Sequence, residues 1–283
     1  MKRKNIEEGI FKILSAVASY SIIAILAFIL LIVFVKGFGA LNLDMITKTP
    51  KGGFYYGGEG GVLNAIVGSI YIGLGSTVIA IIIGAPAALY INVHLIRFKK
   101  AQNVVRYFLD ALWGIPPIVY GAFGFTLMLY LGMNASLIAG IITVSLLILP
   151  IMVRSFDEVL CTIPKGLHEA SLALGSTKTE MAYKVMFKQG FSGFITAVLL
   201  SFARGIGDAA AVMFTAGYTD LIPVTFDEPA ATLPLAVFFQ LSSPIPEVRE
   251  RAYASAAILT IMILVISLVA RFVSHRYSKS NIN

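Results

Sequence analysis

The chain has 283 residues, of which 58% are hydrophobic and 13% are charged, whereas soluble domains carry about 25% charged residues. This composition argues against a soluble globular protein. The net charge of +7 requires no nucleic-acid partner, because basic residues in a membrane chain mark its cytoplasmic loops. The single cysteine, Cys161, excludes an intrachain disulfide, and no cluster of Cys and His predicts a metal site.

Long uncharged segments predict membrane-spanning helices, since about 20 residues cross a bilayer. The first segment, Ile13 to Val35, is too long for the apolar part of a signal peptide and predicts a retained span. The second span lies near Val62 to Ile91. The stretch from Ala111 to Val153 is long enough for two helices, which a turn near Gly132 to Ser136 would join.

A proline pair lies in the third predicted span. Pro116 and Pro117 have no amide hydrogen to donate, so they should kink or break the helix. Such a break either shapes a gate or is purely structural, and the sequence favours neither role.

The last two spans follow a long polar loop. The fifth, from about Gly193 to Gly217, is apolar except for Arg204 and Asp208, and the sixth runs from about Ala252 to Arg271. The sequence therefore predicts an all-α membrane protein with six transmembrane helices.

The basic residues predict the orientation. With the N-terminus inside, the cytoplasmic segments hold four at the start, four between Arg97 and Arg106, five between Arg154 and Lys188, and three after the last span. Only five of the 22 Lys and Arg residues lie outside. The positive-inside rule therefore places both termini in the cytoplasm.

The predicted organisation has three parts. Residues 1–60 hold the first span and a glycine-rich, flexible external loop, residues 61–275 form the core, and residues 276–283 form a cytoplasmic tail. Within the core, a cytoplasmic loop covers about residues 154–191. In the external loop before the last span, the apolar run Leu233 to Leu241 is too short to cross and predicts an interfacial or re-entrant helix.

The cytoplasmic loop contains a motif. Glu169, Ala170 and Ser171, followed by Gly175 and Val185, resemble the EAA coupling loop of bacterial ABC-importer permeases. A helix, a glycine turn and a second helix would form a compact element that sits in a groove of an ATPase subunit. By itself the motif is equally well read as an amphipathic surface loop.

The resemblance extends over about residues 60 to 275 and is to the phosphate-specific permeases of the ABC importers. The residues that carry it are Leu63 to Ser69, Trp113 to Gly121, Ser145 to Pro150, Arg154, Glu158, Ile163, Pro164, His168 to Ala170, Ala173 to Lys178, and Arg204 to Ala209. The segment Ala231 to Pro234 and the single additional N-terminal span resemble the PstA type rather than the PstC type. The chain departs from the family pattern at Ser171, Phe187, Lys188 and Asp208.

The resemblance implies a type I importer permease fold and a set of partners. These are a second, PstC-like permease, two PstB-like ATPase subunits and a PstS-like phosphate-binding protein outside the inner membrane. No phosphate-cradling GxxxxGK[ST] loop occurs in the chain. ATP and Mg²⁺ would therefore belong to the ATPase, and this chain would be a transport subunit without a cofactor of its own.

Two alternatives remain open at this point. The transported anion could be another tetrahedral oxyanion such as molybdate or tungstate. The chain could also be a channel or secondary transporter that acts alone.

The charged pair in the fifth span has two interpretations. A charge inside a membrane is costly, so Arg204 and Asp208 need partners. Their i, i+4 spacing allows a structural salt bridge. Alternatively, Arg204 offers its planar donor fork to phosphate oxygens while Asp208 restrains it and moderates its charge.

Overall fold

The computed structural model describes residues 2–51 and 60–278, and this part of the chain is helical with no β-strand. Its helices are α1 (Lys2–Ala40), α2 (Leu43–Thr47), α3 (Leu63–Val93), α4 (Lys99–Trp113), α5 (Pro117–Tyr130), α6 (Leu137–Cys161), α7 (Lys165–Ala173), α8 (Lys178–Gln189), α9 (Phe191–Ile206), α10 (Leu233–Leu241) and α11 (Pro246–Ser278). The predicted flexible loop at residues 52–59 and the tail from residue 279 lie outside the described residues.

Helices α3 and α6 form the centre of the bundle and pack along each other. Their contact is close because small residues face large ones, and a Cβ atom on Gly75 would lie only 2.8 Å from Cδ1 of Ile141. Helix α9 packs against both, and α5 packs against α6. Pro86 and Pro150 lie inside α3 and α6 without ending them, as membrane helices tolerate.

Four helices are long and apolar enough to cross a membrane: α1, α3, α6 and α11. Two further pairs pass the same test but are bent, α4 with α5 by 93° and α8 with α9 by 75°. Counting each bent pair as one span gives six, so the predicted all-α membrane fold is confirmed. Helix α1 packs against α11, and none of its most apolar segment is buried.

The prolines stand at the break between α4 and α5. Pro116 precedes α5 and Pro117 occupies its first turn, where the missing amide hydrogen costs nothing. Residues Ala111 to Trp113, which the sequence assigned to the third span, belong instead to α4. What is left of the third predicted span is α5, which has 14 residues and is therefore about 21 Å long.

The fifth span is shorter than predicted. Helix α9 ends at Ile206 rather than near Gly217, because the chain turns at Gly207 and the Asp208 side chain accepts a hydrogen bond from the amide of Ala211. Residues 207–232 contain no helix, yet many of them are buried. The chain then forms the short helix α10 at Leu233–Leu241, which confirms the predicted helix there.

The loop between α6 and α9, which the sequence predicts to be cytoplasmic, contains the predicted helix, turn and helix. Helix α6 continues through Arg154 to Cys161, so the loop is shorter at its start than the sequence suggested. Helices α7 and α8 follow, with Gly175 between them at a φ of +82°. A positive φ of this size favours glycine strongly, so the turn depends on that residue.

Candidate functional site

Arg204 lies in the last turn of α9, and Asp208 follows two residues after that helix ends. Nη2 of Arg204 is 3.8 Å from Oδ2 of Asp208, and their side chains are 49% and 6% exposed. The carboxylate is thus buried and anchored by the Ala211 amide, at 2.9 Å, while the guanidinium is half open. At this length the ion pair leaves donor groups of Arg204 free to bind a further acceptor.

The depth of this pair follows from its neighbours. A Cβ atom on Gly205 would lie 3.1 Å from Val144 and 3.3 Å from Ile148, and both residues are near the middle of α6. The pair therefore lies halfway along the bundle even though α9 ends there. Non-helical chain at this depth is tolerated where protein buries it or where it lines an aqueous cavity, and interrupted helices are typical of transporter binding sites.

The irregular segment after α9 is held by α3. The Asn64 side-chain amide donates to the carbonyl of Thr219 at 2.6 Å, and Ser69 Oγ accepts from the amide of Leu233 at 2.8 Å. A Cβ atom on Gly68 would overlap the carbonyl oxygen of Ala231. These contacts fix the position of the segment that carries Asp208.

Pro116 and Pro117 lie close to the irregular segment that carries Asp208. Gly121 lies one turn into α5 from Pro117, and a Cβ atom on it would lie 2.7 Å from the carbonyl oxygen of Ala210. The structure thus brings the break at Pro116 and Pro117 next to the turn that Asp208 begins. A gating role for the break stays a prediction.

The predicted coupling residues lie elsewhere, on the protruding loop. Helix α7 has no buried residue, and Glu169, Ala170 and Gly175 are exposed. Leu174, at the end of α7, is 89% exposed, whereas Met181 in α8 is buried.

The second helix of the loop begins with a capping box. Thr177 Oγ1 accepts from the amide of Glu180 at 3.2 Å, and the Glu180 carboxylate accepts from the amide of Thr177 at 3.1 Å. The hydrogen bond from Lys184, together with the bonds from Thr177, lowers the pKa of Glu180 to about 2. Burial lowers the pKa of His168 on α7.

Sequence reasoning missed a buried charge cluster. Asp157 is fully buried and accepts from Arg106 at 2.7 and 2.9 Å, from Arg154 at 2.7 Å and from Asn92 at 2.8 Å. Arg154 also donates to Asp110 at 2.8 Å. The cluster joins the C-terminal ends of α3 and α6 to the middle of α4. The signal available in the sequence was an acidic residue three positions after Arg154, at the end of an apolar helix.

Metal chemistry has no support in the described residues. Within residues 2–51 and 60–278, no three His, Cys, Asp or Glu side chains come together as ligands of a metal ion.

The broken apolar helices, the protruding loop and the charged pair at mid-depth define a membrane permease. The family model described as "Binding-protein-dependent transport system inner membrane component" matches residues 80–280. Among solved structures, the chain resembles the MetNI methionine ABC transporter in inward-facing conformations, with a TM-score of 0.64 and 18% identity, over 76% of this chain and 95% of that one. An amino acid ABC transporter crystallised with histidines gives a TM-score of 0.57 at 17% identity, over 76% and 92%.

Comparison with curated relatives shows to which group of these permeases the chain is similar. The phosphate transport system permease protein PstA of Haemophilus influenzae is 32% identical over 253 residues, 89% of this chain and 88% of the relative. PstA of Mycobacterium leprae is 33% identical over 248 residues, 86% and 80% of the two chains. The chain belongs to the binding-protein-dependent inner-membrane permeases and, within them, to the PstA family.

Proposed function

We propose that this chain is the PstA-type permease subunit of an ATP-driven importer of inorganic phosphate. The observation that carries the proposal is the similarity to PstA proteins over nearly nine-tenths of the chain. The fold of an ABC-importer permease supports it. The chain forms half of a translocation pathway, and a second, PstC-like permease supplies the other half.

In this proposal both termini lie in the cytoplasm. The distribution of Lys and Arg supports that orientation, since most of the 22 lie in segments at the same end of the bundle as α4 and α7. The external end then carries α2, α10 and the loop between α9 and α11, which face the PstS-like binding protein.

The protruding loop couples the chain to a PstB-like ATPase, which holds ATP and Mg²⁺. Helix α7 is suited to this because it has no fully buried residue and presents an exposed surface, while Leu167 packs against the core of the bundle. Glu169 and Ala170 lie on its exposed surface, and Gly175 sets the direction of α8 through its positive φ. A movement of the ATPase groove would then move α8 and α9 together with α7.

Phosphate passes Arg204 at the middle of the bundle. The half-open guanidinium offers two parallel donors to a pair of phosphate oxygens. Asp208, buried at the same site, holds the arginine and reduces the local positive charge. This moderation matters because a pathway must release the anion that it attracts.

The test is uptake of radiolabelled phosphate by cells or vesicles that contain the chain with its partner subunits. We expect Arg204→Gln to lower uptake by at least about 100-fold, because two hydrogen bonds to a charged group, at about 1.5–3 kcal/mol each, contribute together about 3–6 kcal/mol. Arg204→Lys should restore little, since an ammonium lacks the planar fork. Arg249→Gln, the same chemical change in the first turn of α11, is the matched control and should retain uptake.

A double variant separates the two interpretations of the pair. Arg204→Gln with Asp208→Asn removes both charges together. Restored phosphate uptake would mean that the pair serves only mutual neutralisation, and the pathway role of Arg204 would be abandoned. Uptake of molybdate or tungstate in place of phosphate, or uptake without an ATPase, would contradict the proposed function itself.

A further inference from the structure

Helix α4 presents three distinct faces, which set it apart from the spans. Gln102, Val105 and Leu109 face the bundle, where Gln102 donates to the carbonyl of Ile91 at 3.1 Å. Val104 and Phe108, with Ala111 on the next turn, form a second, exposed apolar face. The third face is polar, and its members are Lys99, Asn103, Arg106 and Asp110.

The apolar and polar faces point in different directions because of helix geometry. At 3.6 residues per turn, residues spaced by three and four lie on one side. The face around Phe108 is therefore about half a turn from the face around Lys99. Tyr107 and Lys100 lie at the border between the two, where long amphipathic side chains reach a water boundary.

The position of α4 in the bundle agrees with a membrane boundary. Asp157 binds Arg106 of α4 and lies nine residues after Ile148 along α6. Ile148 contacts Gly205, the neighbour of Arg204, and is therefore at the depth of the charged pair. Nine helical residues measure about 14 Å. Half the hydrocarbon thickness of a bilayer is about 15 Å, so α4 lies where hydrocarbon meets headgroups, and its 93° bend from α5 turns it away from the spanning direction.

Basic residues gather at the start of this helix. Arg97, Lys99 and Lys100 are exposed, and none of them forms an ion pair with a carboxylate in the described ranges 2–51 and 60–278. Arg106 is different, because Asp157 neutralises it. Three uncompensated positive charges next to an apolar face fit an anionic, amphiphilic surface.

We propose that α4 is an interfacial helix that binds the anionic headgroups of the cytoplasmic leaflet. Phe108 and Val104 enter the acyl region, and Arg97, Lys99 and Lys100 bind the phosphate groups of acidic phospholipids. The cluster around Asp157 holds the helix at this depth. The inference goes beyond the import of phosphate and is independent of which anion is transported.

Tryptophan fluorescence tests the depth, because Trp113 is the only tryptophan in the chain. In a Trp113→Phe background, Phe108→Trp and Asn103→Trp place one reporter on each face of the full-length chain in vesicles. We expect the reporter at 108 to be quenched most by lipids brominated near the headgroup. The reporter at 103 should be quenched by aqueous iodide. Stronger quenching at 108 by lipids brominated deep in the chain, or by iodide, would overturn the interfacial position.

The native Trp113 tests the headgroup preference and covers the case in which those variants fail to fold. Vesicles with brominated phosphatidylglycerol in phosphatidylcholine are compared with the reverse mixture at equal total composition. We expect at least about twofold stronger quenching by the anionic lipid.

The combined variant Arg97→Gln, Lys99→Gln and Lys100→Gln should lose this preference. Lys36→Gln with Lys48→Gln and Arg249→Gln, the same charge change at the other end of the bundle, should keep it. Equal quenching by both lipids in the native chain, or a preference that survives the first triple variant, would overturn the proposal.

Discussion

Replacement of Asp157 tests whether the buried charge cluster holds α3, α4 and α6 together. In Asp157→Asn one oxygen remains to accept from Asn92 and Arg106. The new amide group, however, faces donors of Arg106 and Arg154, so two charge-assisted hydrogen bonds are lost. Each such bond contributes about 1.5–3 kcal/mol.

The expected loss is smaller than the sum of the two bonds. The arginine side chains are 24% and 22% exposed, so water replaces part of what the carboxylate supplied. We expect about 3 kcal/mol, the lower end of the range for breaking a buried ion pair. At roughly 2 °C per kcal/mol for a chain of this size, the apparent melting temperature should fall by about 6 °C.

The matched control is Asp110→Asn. Asp110 binds the same Arg154 at 2.8 Å, but its side chain is 52% exposed, so the variant should lose about 0.5 kcal/mol. The assay follows the monodisperse fraction of the purified chain in detergent, by size-exclusion chromatography after heating. Equal losses for the two variants would refute the reasoning, because the Asp157 carboxylate is buried and binds two arginines, whereas that of Asp110 is half exposed and binds one.

Three further predictions concern the loop and the orientation. Gly175→Val should uncouple ATP hydrolysis from phosphate uptake while the chain still inserts, because φ is +82° there. Gly166→Ala, where a Cβ atom meets nothing within 4 Å, should keep uptake, and normal uptake by Gly175→Val would contradict the role of the turn. Lys99→Cys in a Cys161→Ser background should react with an impermeant thiol reagent only from the cytoplasmic side, and labelling from outside would reverse the topology. The Glu180 carboxylate should titrate near pH 2 by NMR, so its stabilising effect is present above about pH 4.5 and is lost as the pH falls toward 2; titration near pH 4.5 would mean that the cap does not form.

Much of the fold was predictable because the physics that sets it is local. Hydrocarbon excludes charged residues, so uncharged segments gave the spans, and a nine-residue apolar run gave α10 at Leu233–Leu241. Proline chemistry placed the break before α5, and a single glycine placed the turn after α7. Motif spacing likewise predicted the helix, turn and helix after α6, and the family.

Other features depended on residues far apart in the chain. The end of α9 at Ile206 depends on a turn that α3 and α5 stabilise, and hydropathy does not report such contacts. The cluster around Asp157 joins Asn92, Arg106 and Arg154 from three helices, and no local pattern states which charges meet. The depth of Arg204 is likewise set by the packing of Gly205 on α6. Burial in lipid acts on each segment separately, so the sequence predicted which segments cross the membrane, although not the bounds of the third and fifth. Which polar groups lie together inside the membrane depends on how the helices pack, and a sequence pattern does not report that packing.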